Sequence, residues 1–595
     1  MKKIKFSKKI IFILIVLIQV IYHTVSFGVN KQGYHSDEMW NYGFANSTDE
    51  KNIYYVDEDK GIYKYIYSWT DSEVLHEYIT VDKSEIFAYD SIYKNLEKDL
   101  NPPLQFMILH FICSFFVGKW SKWFGFIINI FSFILIQIYL FKFMKRVTKS
   151  DAAAYMGIVV FGFAVGSTSV TTFLRMYALG VAFAMMFIYY VNEIYICRDE
   201  REKYRTNIIK AAIALLLGAL TVHQFLIMAF FVVFIYSLYY LFSKRFRLML
   251  TFGISMLASV GVSVILFPST FSHLFGYTNN SIIKKYPTGW QFRIYLSFLT
   301  KDISGFHISA IRTMAIPYTF VGLVILVFIL VPLCFVLRNE EKFKTLVIKI
   351  KERMVYGVKN IKKIPFTIIA LLFVIVLFVL VDAHNSSIFR MGIFAKRYMF
   401  LIYPVYAAFV CMVIYYFFRW LIQNCKVRNI VLLLTGVLMV VITYFVSRNP
   451  FYLKHYEEGI TLDALGKDAN FIAVMSSDWV LVSGANELYD TNSYFLTDYA
   501  TYDKMNYKGA DPDKPLYLLL DVSELVEDDV SDAGSDDDVV IIDENGNTLD
   551  EKSIYNSYKR SKIINYFEDL EICTKFERVG TDEMFERVIE IYRLN

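Results

Sequence analysis

Two groups of acidic side chains stand apart in this 595-residue chain. Asp37 and Glu38 lie in the stretch GYHSDEMWNYGFANS (33–47), directly after a long apolar run, with His35, Trp40 and Tyr42 beside them. Asp99 precedes Asn101-Pro102-Pro103-Leu104, where the chain enters a second apolar stretch. Carboxylates can take protons from reacting groups or hold cations. A lone Asp-Glu pair is more simply a solvated turn, but a second acid at the same depth and on the same side weighs against that. Cations form a further set. Arg390, Lys396 and Arg397 lie together ahead of a late apolar run, against the usual bias of positive loops toward the cytoplasm, although headgroup anchors are an equal reading. Arg175 sits at the edge of an apolar run beside Tyr177, a costly place for a charge that has no partner. His223 falls between two apolar runs, where a satisfied helix-end histidine is the simpler reading. Asp382 and His384 share the turn that leads to Arg390.

The elements that position these residues are membrane helices. The chain is 56% hydrophobic, 17% aromatic and 20% charged, and its net charge of +4 is too small to suggest nucleic acid. Its apolar runs reach the roughly 20 residues that a helix needs to cross hydrocarbon. Eleven spans are expected, at about 10–28, 123–142, 152–169, 174–192, 207–222, 224–242, 248–267, 316–337, 365–382, 398–418 and 429–446. The first follows MKKIKFSKK without a small-x-small cleavage site, so it reads as an uncleaved helix with its basic end in the cytoplasm. Basic loops at 142–150, 198–205, 243–247, 338–363 and 419–428 all return to that side on one condition. The stretch from Pro103 to Val117 must not cross. It is short and opens on two prolines, so an interfacial helix is expected there.

This threading gives an all-α polytopic membrane domain, 1–449, with a first external loop at 29–122, and an external domain at 450–595. The latter reads as a small α/β fold, because β-prone runs at 471–475, 516–522 and 539–543 alternate with polar segments. Residues 543–547 read as a hairpin turn. The acidic run 527–538 lacks calcium-loop spacing and reads as a solvated loop. Cys113, Cys197, Cys334, Cys411, Cys425 and Cys573 show no metal-like spacing, and Cys573 has no partner within its domain.

These motifs together resemble the GT-C superfamily of polyprenyl-phosphate-sugar-dependent glycosyltransferases, which includes the protein O-mannosyltransferases and the lipid A aminoarabinose transferases. The resemblance lies in the Asp37-Glu38 pair after the first span and in Asp99 before an Asn-Pro-Pro-Leu run. It continues in Arg175-Met-Tyr177-Ala-Leu, in Val222-His223 and in Lys396-Arg397-Tyr398 with Pro404. It covers roughly residues 10–450, and Asn101 departs from the histidine that many relatives carry. The resemblance implies juxtamembrane helices in the first external loop. It also implies inverting transfer of a sugar from a polyprenyl-phosphate donor to an acceptor hydroxyl on a cell-envelope glycan, lipid or protein. Asp37 would be the base, with Glu38 and Asp99 as orienting or metal-coordinating acids. Arg175, Arg390, Lys396 and Arg397 would face the donor phosphate, and His35, Asn101, Tyr177 and His223 would support the site. A divalent metal, Mg²⁺ or Mn²⁺, suits paired acids near phosphate, held by Asp37 and Asp99 if present. The C-terminal domain would help select the acceptor. The alternative, a transporter or flippase of lipid-linked sugars, predicts ionisable residues along a mid-membrane path.

Overall fold

The computed structural model describes residues 7–48, 51, 56–57, 62–63, 65–99, 101–275, 288–305, 365–385, 392–446, 450–451, 456–477, 480–511, 513–523, 541–542, 548–549, 551–584 and 587–595. Its first helices are α1 (Lys8–Asn30), α2 (Ser36–Asn46), α3 (Glu73–Ile79), α4 (Tyr89–Lys98), α5 (Leu104–Cys113), α6 (Lys122–Thr148) and α7 (Asp151–Gly162). There follow α8 (Val165–Thr172), α9 (Tyr177–Ile196), α10 (Arg201–Ala219), α11 (Gln224–Phe242), α12 (Phe246–Leu266), α13 (Ser269–Phe275) and α14 (Thr288–Ser304). Later helices cover Phe366–Asn385, Tyr403–Leu421, Cys425–Val446 and Glu551–Glu568, and a long 3-10 segment runs over Gly392–Ile402. The chain divides into two compact units, Met1–Phe27 with Leu100–Gln105 and Gly125–Phe451, and Gly28–Asp99 with Phe106–Phe124 and Tyr452–Asn595. Most of the first loop is therefore built with the C-terminal region.

The architecture of the first unit is that of a multi-pass membrane protein. Among the described residues, eight helices are long and apolar enough to cross a membrane, and the bent pair α7 and α8 makes a ninth. Two of the eleven expected spans differ in kind. The span expected at 207–222 lies in α10, which opens on the charged turn REKYR and so does not pass as a span by length and composition. The one expected at 152–169 is broken by 60° between α7 and α8. Just past the break, α8 reads VGSTSVTT, and the hydroxyls of Ser169, Thr171 and Thr172 donate back to the carbonyls of Val165, Ser167 and Thr168 at 2.8–3.0 Å. Such back-bonding, with β-branched side chains, bends helices. The run expected at 316–337 lies outside the described residues. Helix α5 has 10 residues, about 15 Å, half of what a bilayer core requires, and so fits the expected non-crossing helix.

Helix α1 shows why the spans hold together. Its buried residues Val16, Gln19, His23 and Phe27 recur at helical spacing, while Ile13, Leu17, Ile21 and Val25 stay exposed on the opposite stripe. The buried stripe carries polar groups that the bundle satisfies. Gln19 donates to the Ile158 carbonyl at 2.9 Å and accepts from Gln137 at 3.1 Å, and His23 Nε2 donates to the Gly162 carbonyl at 3.0 Å. At Gly162 a Cβ would lie 2.2 Å from the Gln19 amide nitrogen, so a larger residue would displace these amides. Small residues and interhelical hydrogen bonds of this kind join helices in a solvent as apolar as their own side chains.

The second unit is built on a seven-stranded sheet. In chain order the strands are β1 (Val56–Asp57), β2 (Ile62–Tyr63), β3 (Trp69–Asp71), β4 (Glu458–Gly459), β5 (Asn470–Met475), β6 (Ser493–Asp498), β7 (Leu516–Asp521), β8 (Ile541–Ile542), β9 (Thr548–Leu549), β10 (Glu577–Met584) and β11 (Arg587–Arg593). The sheet order is β3-β6-β5-β7-β11-β10-β4, with β5 parallel to β6 and to β7, and the remaining pairs antiparallel. Every residue of β5 and β7 is buried, as central parallel strands covered on both faces require. Ile563 and Phe567 of the helix Glu551–Glu568 pack on Leu518, Leu520 and Tyr592 in one core. The strands expected at 471–475 and 516–522 are thus β5 and β7. The run 539–543 contributes only the two residues of β8, paired with β9. The turn 543–547 and the acidic run 527–538 lie outside the described residues. Edge strand β3 comes from the first loop. It sets Trp69 opposite Phe495, and the Trp69 indole donates to the Tyr507 carbonyl at 3.1 Å.

Candidate functional site

In the second unit the site is built on the first turn of α2. His35 is the residue before the helix, in extended conformation (φ −68°, ψ 143°). Its Nδ1 accepts from the Asp37 backbone N–H at 3.0 Å, while the Glu38 carboxylate accepts from the His35 backbone N–H at 2.9 Å. The two bonds close a capping box that satisfies otherwise orphaned donors of the helix start. Because Nδ1 accepts, the ring proton sits on Nε2 and His35 is neutral. The 3.8 Å approach of Nδ1 to the Asp37 carboxylate is then no ion pair.

Glu38 is committed to holding this turn. The same oxygen that caps His35 accepts from the Lys31 ammonium at 2.7 Å, and both side chains are fully buried. Burial pulls the Lys31 ammonium below its ordinary value, against the opposing effect of Glu38. Lys31 lies over the Tyr34 ring at 5.4 Å, and Lys122 donates to the Lys31 carbonyl at 2.7 Å. Burial also raises the Tyr34 phenol above its ordinary value. Asp37 differs from its neighbour: its side chain keeps 13% exposure. Lys31 was legible only as a basic residue at the end of the first span, and its spacing of seven from Glu38 was the available signal.

Asp99 closes α4 in extended conformation and is half-buried. An acid at a helix C-terminus faces the negative end of the helix dipole, an unfavourable placement for stability alone. Helix α4 packs on α2, and Asn95 donates to the carbonyls of Phe44 and Ser47 at 3.2 and 2.7 Å. Gly43 of α2 meets Tyr78 of α3 so closely that a Cβ would lie 2.0 Å from the ring. The short helix Val480–Ser483 of the C-terminal region also packs on α2. Among the described residues no group of three or more His, Cys, Asp and Glu side chains is placed to hold a metal ion. No ligand set for the expected Mg²⁺ or Mn²⁺ is therefore assigned.

In the first unit four of the sequence motifs meet at one end of α9. Arg175, buried, lies in the turn before α9, and Asn129 of α6 fixes that turn by donating to the carbonyls of Thr171 and Phe173 at 3.0 and 2.7 Å. The Tyr177 ring meets Phe400 edge-on at 5.7 Å. Gly180 lets Val222 and Leu401 approach α9, since a Cβ would stand 2.6 Å from Val222. This brings the half-buried His223, the first residue after Val222, to the same end. Leu104, after Asn101-Pro102-Pro103, donates its N–H to the Leu220 carbonyl at 2.9 Å, which adds the Asn101 segment.

The cations divide by environment. Lys396 is buried and forms an ion pair with Asp302 of α14 at 2.6 Å, and the Tyr403 hydroxyl donates to the same carboxylate at 2.9 Å. Its charge is thus balanced within the bundle. Arg397 is half-buried and lies 5.4 Å from the Tyr398 ring centre. Arg390 lies outside the described residues. Asp382 is buried and His384 exposed, both at the end of the helix Phe366–Asn385. Asp302 was not foreseen, because no motif marks the helix that carries it.

No protein-family model matches the chain, and no curated protein does. Solved structures return likenesses of fold. The archaeal oligosaccharyltransferase AglB from Archaeoglobus fulgidus, in complex with an inhibitory peptide and a dolichol-phosphate, aligns with a TM-score of 0.42 and 11% identity over 88% of this chain and 70% of its own. ArnT from Cupriavidus metallidurans, bound to undecaprenyl phosphate, aligns with a TM-score of 0.40 and 10% identity over 97% of each chain.

Proposed function

We propose that this chain is a membrane glycosyltransferase that moves a sugar from a polyprenyl-phosphate donor to an acceptor hydroxyl outside the cytoplasm. Its N-terminus is cytoplasmic, and its first loop and C-terminal domain are external. The carrying observation is the contrast between two adjacent acids. Glu38 is locked to Lys31 and to the helix cap, while the side chain of Asp37, one residue earlier, keeps 13% exposure.

In this reading Asp37 takes the proton of the acceptor hydroxyl as its oxygen bonds to the anomeric carbon. The bond from that carbon to the phosphate oxygen breaks, and its electron pair leaves on the lipid phosphate. A single displacement inverts the sugar, with no sugar bound covalently to the protein. The leaving phosphate is already a stable anion and needs positive charge rather than a proton. Arg175 and Arg397 serve that need with guanidinium groups suited to phosphate. Lys396 supports them through Asp302, and Arg390 remains a further candidate. Asp99 orients the acid loop.

The test is a strain lacking the chain, analysed by mass spectrometry of membrane lipids and envelope glycans. A polyprenyl-phosphate sugar is expected to accumulate, relieved by the wild type and not by Asp37→Asn. Purified protein separates the flippase alternative, since a transferase releases free polyprenyl phosphate and a flippase does not. Asp37→Asn should lower transfer by roughly 10²–10⁴-fold, the contribution of a general base. Normal transfer by that variant would remove Asp37 from the mechanism.

A further inference from the structure

A second feature lies within the first unit. The N-terminal end of α1, the C-terminal ends of α6 and α9 and the start of α10 line an open cavity of about 1110 Å³. That is above the roughly 300–1,000 Å³ of ordinary ligand sites. Eight of its lining residues are cations and two are carboxylates. Four of the cations are balanced: Lys8 and Lys145 pair with Asp151, Arg146 with Glu193 and Lys203 with Glu200. Lys9, Lys142, Lys149 and Lys210 form no ion pair with a described carboxylate.

Two of these four are set in place by aromatic rings. Lys142 lies 5.1 Å from the Tyr139 ring centre and Lys210 5.6 Å from that of Tyr190, and the two tyrosine hydroxyls are hydrogen-bonded at 3.2 Å. The positive-inside rule accounts for lysines at this end of the helices. It does not account for their convergence from three helices, α1, α6 and α10, on one cavity. One side of the wall is apolar, formed by Phe12, Ile13, Ile138 and Phe141, while Glu202, Thr206 and Asn207 of α10 add polar groups. A small soluble anion would leave that wall in water. A molecule with a phosphate at one end and hydrocarbon at the other satisfies both surfaces.

We infer that this cavity binds the phosphodiester headgroup of an anionic phospholipid from the leaflet on the side of the chain's N-terminus. Lys142, Lys149 and Lys210 face the phosphate, and the acyl chains run along Phe12 and Ile13. Basic pockets between membrane helices take such headgroups. The inference does not rest on the proposed sugar transfer.

Full-length protein in phosphatidylcholine nanodiscs, titrated with cardiolipin or phosphatidylglycerol, tests it through the thermal unfolding midpoint. The wild type should show a saturable rise with anionic lipid. The double variant Lys142→Gln/Lys210→Gln should need at least about tenfold more lipid for the same rise. Lys142→Arg/Lys210→Arg, which keeps the charge, should respond as the wild type does and shows that the positions tolerate change. Lys426→Gln, outside the cavity and exposed in the first turn of the helix Cys425–Val446, should also respond normally. An equal loss with Lys426→Gln, an unaltered response in the Gln double variant, or the same rise from inorganic phosphate alone would each overturn the assignment.

Discussion

The difference between Asp37 and Glu38 is one of environment rather than of chemistry. Glu38 shares full burial with Lys31, so removing its charge leaves an ammonium in the interior without its counter-ion. Glu38→Gln should cost about 3–5 kcal/mol of stability, the range for breaking a buried pair, and lower the thermal midpoint accordingly. Asp37→Asn should cost less than Glu38→Gln, since Asp37 is not in the fully buried pair with Lys31, while transfer falls as stated above. Equal destabilisation by both would mean that Asp37 also serves the fold. The cations separate in the same way. Arg175→Lys keeps a charge but loses the guanidinium fork, and should weaken donor binding about tenfold or more with little change in folding. Lys396→Gln strands Asp302 in the bundle and should register chiefly as lost stability. The acids and cations could be picked out from their types and neighbours. Which of them is spent on structure could not, because Lys31 and Asp302 become partners only through packing.

At the scale of elements, the first loop carries three helices whose packing depends on close approach. Gly43 faces Tyr78 with no room for a methyl group. Gly43→Ala should destabilise by about 1–3 kcal/mol, as overpacking does. The same change made on top of Tyr78→Ala should cost much less, and a double-mutant cycle of unfolding midpoints measures the coupling. Additive costs would show that the ring is not the obstacle. The break between α7 and α8 belongs to this scale too. The hydroxyl-rich sequence of α8 was visible, but the run was apolar enough to read as one straight span.

At the scale of the molecule, the C-terminal region supports the first loop directly. Strand β6 pairs with β3, and the helix Val480–Ser483 packs on α2, the helix that carries Asp37. Removing residues 456–595 should therefore abolish transfer rather than change acceptor preference, and should expose residues 65–99 to protease. A truncated protein that kept its rate but altered its acceptor would instead assign the C-terminal region to selection alone. Trp69→Ala offers a milder version. It removes the ring on Phe495 and the bond to Tyr507, and should destabilise this unit by about 3 kcal/mol, near the low end for tryptophan because Trp69 is only part-buried.

By itself the sequence determined the membrane class, most of the spans, the non-crossing stretch after Pro102-Pro103 and the two central strands of the sheet. These follow from hydrophobicity, length and local propensity, which are properties of contiguous residues. Tertiary structure decided which unit the first loop joins, which acid is locked and which keeps an opening, and which lysine is neutralised. It also decided that three basic helix ends, of α1, α6 and α10, share one cavity. Apart from the Lys31–Glu38 pair, which lies seven residues apart, those outcomes depend on pairings across tens to hundreds of residues, such as Trp69 with Phe495 or Lys396 with Asp302. No local pattern specifies a partner at that distance, and only the packed chain brings the two groups within reach.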